Sequence, residues 1–400
     1  MSLYPLKEED LVLAILSNHI KLNKKRLDQI LKCYSDITKA AEDHFQAVFS
    51  YPKNTYSLDL LNDQVFESDL GDLENLSKYD SKGLELIQNF KWDNLQEYKQ
   101  KLAKELEYNQ IGLLNYLEFS TSILDTDDYP LILYYQGDKS LLNKKSNLSI
   151  VGARAINHYT SKFLTDIIGQ LDGFDFGIVS GLALGVDALA HQLALKHNHK
   201  CLAFIGSGHD SEVFYPQSNF RLKNQIIDSG GLVCSEYPPG FKSMLYTFPR
   251  RNRFVACISD LTWVAQASQK SGALITAKLA LEYGKIVATT PASIFDSLFE
   301  GNLSLIRDGA QIIASADDLL SLLNFSNPKV KIDTIKSELD WNIYSNNAKI
   351  IYDSLSFEPK DIQEIFITTK IPIAILGSEL SVLELNELVV NIEFGKWVKN

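Results

Sequence analysis

With 400 residues, 45% of them hydrophobic and 22% charged, the chain has the composition of a globular protein and exceeds one ordinary domain. Disordered, collagen-like and low-complexity chains are excluded, and four cysteines (Cys33, Cys201, Cys234, Cys257) without a C-x-x-C pair argue against a disulfide scaffold or thiolate zinc site. The net charge of −11 argues against a polyanion partner in sum but not in distribution: residues 41–130 hold 18 acidic against 7 basic side chains, whereas 244–285 hold 6 basic against 2 acidic.

Residues 1–9 are polar and mixed in charge, unlike a secretory signal, and no run reaches the roughly 20 apolar residues of a membrane span. A soluble, cytoplasmic protein is expected. Over 6–48, Leu11, Ala14, Ile15, Leu22, Leu27, Ile30, Leu31 and Tyr34 recur at three-to-four spacing, which predicts short helices. Lys24, Lys25 and Arg26 read as a solvated helix face, with a phosphate contact as the alternative. The acidic stretch that follows reads as helical over 95–117 and carries no assignable chemistry. Residues 1–124 are thus expected to form a helical N-terminal domain.

From 125 to 325 the pattern alternates strand and helix. Apolar, β-branched runs at 131–135, 149–151, 177–179, 201–205, 232–233, 261–265, 286–288 and 312–313 are each followed by a helical stretch. Such alternation predicts an α/β, doubly wound, mostly parallel sheet of Rossmann-like type, whose ligands bind beyond the carboxyl ends of the strands. Residues 326–340 read as a linker. Residues 341–400 read as helices over 347–355, 362–366 and near 380–390 with a strand at 391–398, a winged-helix-like pattern.

The strand ends carry small and polar groups suited to phosphate. Gly152 permits close backbone approach and Arg154 supplies a forked cation. Ser180 and Gly181 open a glycine-rich turn into a helix start, Gly206 and Ser235 end two further strands, and Ser271 and Gly272 precede another helix, where amides and dipole favour an anion. Neither G-x-G-x-x-G nor G-x-x-x-x-G-K-[ST] occurs, which disfavours a dinucleotide enzyme and a P-loop NTPase. His197, His199 and Cys201 are metal ligands by type, yet a polar turn entering a strand explains them, so no metal and no cofactor is expected.

The densest signal is the run TFPRRNR from Thr247 to Arg253. Arg250, Arg251 and Arg253 offer forks for phosphate beside the amide of Asn252, and Phe248 offers a face on which an unpaired base can stack. The alternative is a helix N-terminus whose arginines sit in surface ion pairs. Cations there oppose the helix dipole unless an anion offsets them.

In order along the chain, VGAR (from Val151), SGLALGVD (from Ser180), Gly206 with Tyr215-Pro216, SEYPPG (from Ser235), FPRRNR (from Phe248), SGALITA (from Ser271) and LIRDGA (from Leu305) resemble the DNA-processing protein A (DprA/Smf) family. The resemblance covers roughly residues 125–315. It implies a non-catalytic protein that binds single-stranded DNA, protects it during natural transformation, loads RecA recombinase while displacing single-strand-binding protein, and dimerises. It implies DNA contacts from Gly152, Arg154, Ser180, Gly181, Gly206, Ser235, Phe248, Arg250, Arg251, Asn252, Arg253, Ser271, Gly272 and Lys278. Ala153, Leu184, Gln266 and Ala292 depart from the family pattern, and Leu184 removes a frequent arginine. Two other readings are a nucleotide phosphoribohydrolase using the same sheet edge, whose P-G-G-x-G-T-x-x-E motif is missing, and a duplex-binding regulator acting through 341–400.

Overall fold

The computed structural model describes residues 95–124, 126, 129–325, 341–356, 359–386, 388–392 and 395–399, with positions 6, 7, 10, 11, 14, 15, 17 and 18. The helices expected over 19–48, the Lys24-Lys25-Arg26 run, the acidic stretch up to 94 and the linker at 326–340 lie outside the described residues. The described residues fall into two compact units, one drawn from Met1–Ala155 and Ile168–Asp318, the other from Ile156–Ile167 and Leu319–Asn400. Among them no single helix is long and apolar enough to cross a membrane.

The larger unit is built on a nine-stranded sheet in the order β1-β2-β6-β5-β4-β3-β7-β8-β9. Its strands are β1 (Gly112–Asn115), β2 (Ile132–Gly137), β3 (Asn147–Gly152), β4 (Gly177–Ser180), β5 (Lys200–Ile205), β6 (Leu232–Ser235), β7 (Leu261–Gln266), β8 (Ile286–Thr289) and β9 (Gln311–Ile312). From β6 to β9 every pairing is parallel, while β2 joins β6 and β1 joins β2 antiparallel. The α/β, mostly parallel, Rossmann-like architecture expected from the alternating pattern is therefore present. Helices connect the parallel strands, among them α3 (Val186–Lys196), α4 (Phe220–Asp228), α5 (Thr247–Cys257), α6 (Ala273–Glu282) and α7 (Glu300–Arg307), with α1 (Leu95–Tyr108) preceding the sheet; α2 (His158–Gly169) lies between β3 and β4 in the chain but belongs to the smaller unit up to Ile167.

The central strands are buried along nearly their whole length, with Lys200 at the start of β5 exposed and Gly152 at the end of β3 half-buried, as parallel strands covered by helices are. All six residues of β7 are buried, and Trp263, fully enclosed, donates its indole N–H to Thr290 Oγ1 at 2.9 Å. Each such large apolar side chain contributes on the order of 1.5–3 kcal/mol by leaving water. The core continues through Phe204, Phe254, Val179 and Val264.

One element departs from expectation. The helix read over 95–117 stops at Tyr108, and 112–115 form β1. Gln110 adopts φ 53° and Ile111 N–H bonds Leu106 O at 2.8 Å, closing the helix before the strand begins. Gly112 is required there, because a Cβ would lie 2.5 Å from the ring of Tyr135, its cross-strand partner.

In the smaller unit, helices α9 (Asn346–Ser354), α10 (Ile362–Thr369) and α11 (Ile373–Leu385) follow α8 (Ala316–Leu322). The single strand expected over 391–398 is instead an antiparallel hairpin, β10 (Val389–Ile392) with β11 (Lys396–Lys399). Ile351, Ile365, Leu376, Leu380 and Leu383 form their core with Trp397, and Asp361 starts α10 with a reciprocal cap to Glu364.

Candidate nucleic-acid interface

The strand order fixes where a site can form. Strands β3 to β6 run outward in one direction, and the chain then crosses to place β7 on the other side of β3. Beyond the carboxyl ends at that reversal the connecting loops part, which is where open α/β sheets leave a crevice. A groove of about 840 Å³ lies there, bounded by Gly152 at the end of β3 and Arg154 after it, Gly181 and Asp187 after β4, Phe248, Arg251 and Asn252 on α5, and Ser271, Gly272, Ala273, Ile275 and Thr276 at the start of α6.

Arg154 is exposed, its guanidinium 5.7 Å from the centroid of the Phe248 ring. The Tyr215 ring stands 5.6 Å from the same ring at 57°. One cation and two aromatic faces thus share the narrow end of the groove, with Gly206 and Leu184 beside them. Arg251 is buried beneath. Its Nη1 donates to Gly181 O and Phe204 O, and Nε has no partner. Gly181 is required by this contact, because a Cβ would collide with the guanidinium.

Asp187 completes the floor. Its Oδ2 accepts from Gly181 N–H at 3.0 Å and Ala183 N–H at 3.4 Å, so the Gly181 amide, expected to receive phosphate, is already occupied by the chain's own carboxylate. Burial pushes the Asp187 carboxyl above its ordinary range against the pull of Arg251 and the two amides. Burial likewise lowers Arg251, with the charge of Asp187 opposing and that of Arg154 adding. His191, one turn along α3, is fully buried with neither ring nitrogen bonded, and burial with the nearby Arg251 charge brings it down to about 3.

Several residues singled out from sequence are placed differently from their expected use. Arg250 lies outside the groove lining and grips Glu236 with both Nε (3.0 Å) and Nη2 (2.9 Å). Arg253 is buried, donates to the same Glu236 Oε1 at 3.0 Å and to Arg250 O, and stacks 4.2 Å over Phe254. The anion that a cationic helix start needs is therefore supplied from within the chain. Burial would raise the Glu236 carboxyl, but Arg253 and Arg250 together more than offset it and hold it below the ordinary range. Ser180 donates to Ile150 O and Ser235 to Ser207 O, both at 2.6 Å and both buried, so these hydroxyls lock the strand ends instead of facing a ligand. A Cβ at Gly152 would meet Val186 at 2.6 Å and Gln266 O at 2.9 Å, so this position admits only glycine because of its packed neighbours. At Gly206 the crowding comes from Thr247 and Phe248. Lys278 is exposed on α6 near Glu282 (3.8 Å) and does not line the groove.

The residues brought together at the groove are Gly152, Arg154, Gly181, Phe248, Arg251, Asn252, Ser271 and Gly272. Tyr215, Met244, Leu245 and Ile275 also line it without being among the expected contacts, as does Asp187, which sequence reads as a cap. Tyr215 carried a signal in the Tyr215-Pro216 motif, whereas the loop residues Met244 and Leu245 carried none.

A family model described as DNA recombination-mediator protein A matches residues 112–324. The chain belongs to that family. Among curated relatives, DNA processing protein DprA of Streptococcus pneumoniae is 40% identical over 198 residues, covering 50% of this chain and 68% of that protein. DNA processing protein DprA of Bacillus subtilis is 35% identical over 196 residues, covering 49% and 65%. The match thus spans about two thirds of each relative's own length. The X-ray structure of DprA from Streptococcus pneumoniae superposes with a TM-score of 0.56 at 32% identity, over 67% of this chain and 90% of that one. The matched region contains the whole nine-stranded sheet and every residue of the groove.

Proposed function

We propose that the groove holds single-stranded DNA as cargo, and that the protein acts in recombination without cutting or converting the strand. The observation that carries this reading is the juxtaposition of Arg154, Phe248 and Tyr215 above the buried Arg251: a guanidinium for phosphate beside aromatic faces for unpaired bases. Duplex bases are already stacked on each other, so such faces favour a single strand. In this reading the bound strand is presented to RecA recombinase by a homodimer and shielded from single-strand-binding protein, and residues 341–400 form a winged-helix-like module that contacts protein.

A non-catalytic role is supported by the state of Asp187, the one carboxylate that lines the groove among the described residues. Asp187 is buried, its Oδ2 accepts from two backbone amides, and the charge of Arg251 lies beside it. The phosphoribohydrolase alternative needs a free carboxylate, so incubation with nucleoside monophosphates is expected to release no base. The deciding experiment is competition between a single strand and its own duplex in a fluorescence-anisotropy titration. Preference for the single strand by at least tenfold is expected. Equal affinity for the two would remove the reading.

A further inference from the structure

The groove has a second chemistry that the cationic floor does not account for. Met244, Leu245 and Tyr246 are 53, 91 and 56% exposed, three consecutive large apolar side chains in water. Met244 and Leu245 line the groove, as does Ile275 on α6, itself 42% exposed. The segment is not a frayed end. At its stem Gly208 N–H donates to Phe241 O (2.8 Å), Gly240 N–H to Asp210 Oδ2 (2.5 Å), and the rings of Phe241 and Tyr237 stack at 4.5 Å. At its far end Thr247 Oγ1 donates to Met244 O at 2.8 Å and accepts from Met244 N–H at 3.2 Å. Contiguous apolar side chains held exposed by anchored backbone mark an interaction surface.

The occupant follows from continuity with the groove. In a single strand, bases and phosphates leave the sugar in different directions, so a strand with phosphates on Arg154 presents its bases to the surrounding walls. In a duplex the bases point inward, and the same walls would meet only charged backbone, which apolar side chains desolvate at a cost. Resting on the groove reading above, we propose that Met244, Leu245 and Tyr246 form a base-contacting lip that makes the groove select unpaired strands.

The test uses the full chain and three 30-nucleotide probes: oligo-dT, an abasic strand with the same phosphates, and a duplex. Met244→Ser/Leu245→Ser is expected to weaken oligo-dT binding about tenfold, the scale of withdrawing two apolar side chains from contact, while affinity for the abasic strand stays at the wild-type value. Arg154→Ala is expected to weaken both single strands together. If the double variant binds oligo-dT as wild type does, or weakens both single strands equally, the lip is refuted while the groove stands. If Arg154→Ala changes neither strand, the groove reading falls and the lip with it. If the double variant lowers the molecular mass by light scattering and leaves the strand preference intact, the patch covers a second copy and the lip is refuted.

Discussion

Arg154 and Arg251 face the same groove, but they are built differently, and their substitutions should separate binding from stability. Arg154 is exposed and its chief described neighbour is an aromatic face, so Arg154→Ala should weaken strand binding by roughly 1–3 kcal/mol and leave thermal unfolding unmoved. Arg251 is buried beside Asp187, and its removal strands that carboxylate, so Arg251→Ala should cost about 3–5 kcal/mol of stability as well as binding. Parallel melting curves and titrations on the two variants check both; equal losses of stability would contradict the burial argument. Glu236 gives a pH signature. Its carboxyl sits below the ordinary value of 4.5 when folded, so its contribution is complete above that value and is lost as pH falls through the folded pKa. Glu236→Gln should therefore be destabilised by about 3 kcal/mol at pH 7, with the gap to wild type narrowing as pH falls below 4.5, as read by denaturant unfolding along a descending pH series.

At the level of elements, the sequence spoke most clearly where both faces of a strand are buried. The runs at 201–205 and 261–265 coincide with β5 and β7 because a covered parallel strand must be apolar throughout. The same rule misled at 112–115, since a short apolar run has no periodicity to tell a strand from a helix turn. The arginine run was legible as chemistry but not as geometry. Nothing in TFPRRNR says that Glu236, on a different loop, will claim Arg250 and Arg253, because that pairing depends on where β6 ends relative to α5. A further element-scale device is the loop between β5 and α4, which carries Tyr215 into the groove. Lys223 on α4 is buried, donates to His209 O at 2.7 Å and lies 5.1 Å from the Phe220 ring. Burial lowers it to about 8, with Asp210 opposing, from 10.5. A depressed amine pKa makes the folded state gain stability as pH rises from 8 towards 10.5 and lose it on the way down. Between pH 8 and 10 the wild type should gain on Lys223→Met in unfolding free energy. Parallel pH profiles would show this loop is not anchored by a buried amine.

For the whole molecule, the −11 net charge is compatible with the proposed polyanion partner because only charges near the groove would act on a bound strand. At 0.1 M salt, fields decay over about 10 Å, so distant carboxylates are screened while groove contacts are not. The number of cations that reach phosphate then sets the salt dependence. Had all three arginines of the 250–253 run joined Arg154, about four phosphates would be neutralised and log K would fall with log salt at a slope near −2.8, taking about 0.7 per phosphate for single strands. With Arg250 and Arg253 committed to Glu236, Arg154 and Arg251 remain, and the expected slope is about −1.4. Anisotropy titrations of oligo-dT from 50 to 300 mM salt measure it directly. A slope close to −2.8 would mean that binding pulls the two arginines off Glu236, and in that case Glu236→Gln should tighten binding at low salt. A slope near zero would remove electrostatic capture altogether and leave the apolar walls as the only source of affinity.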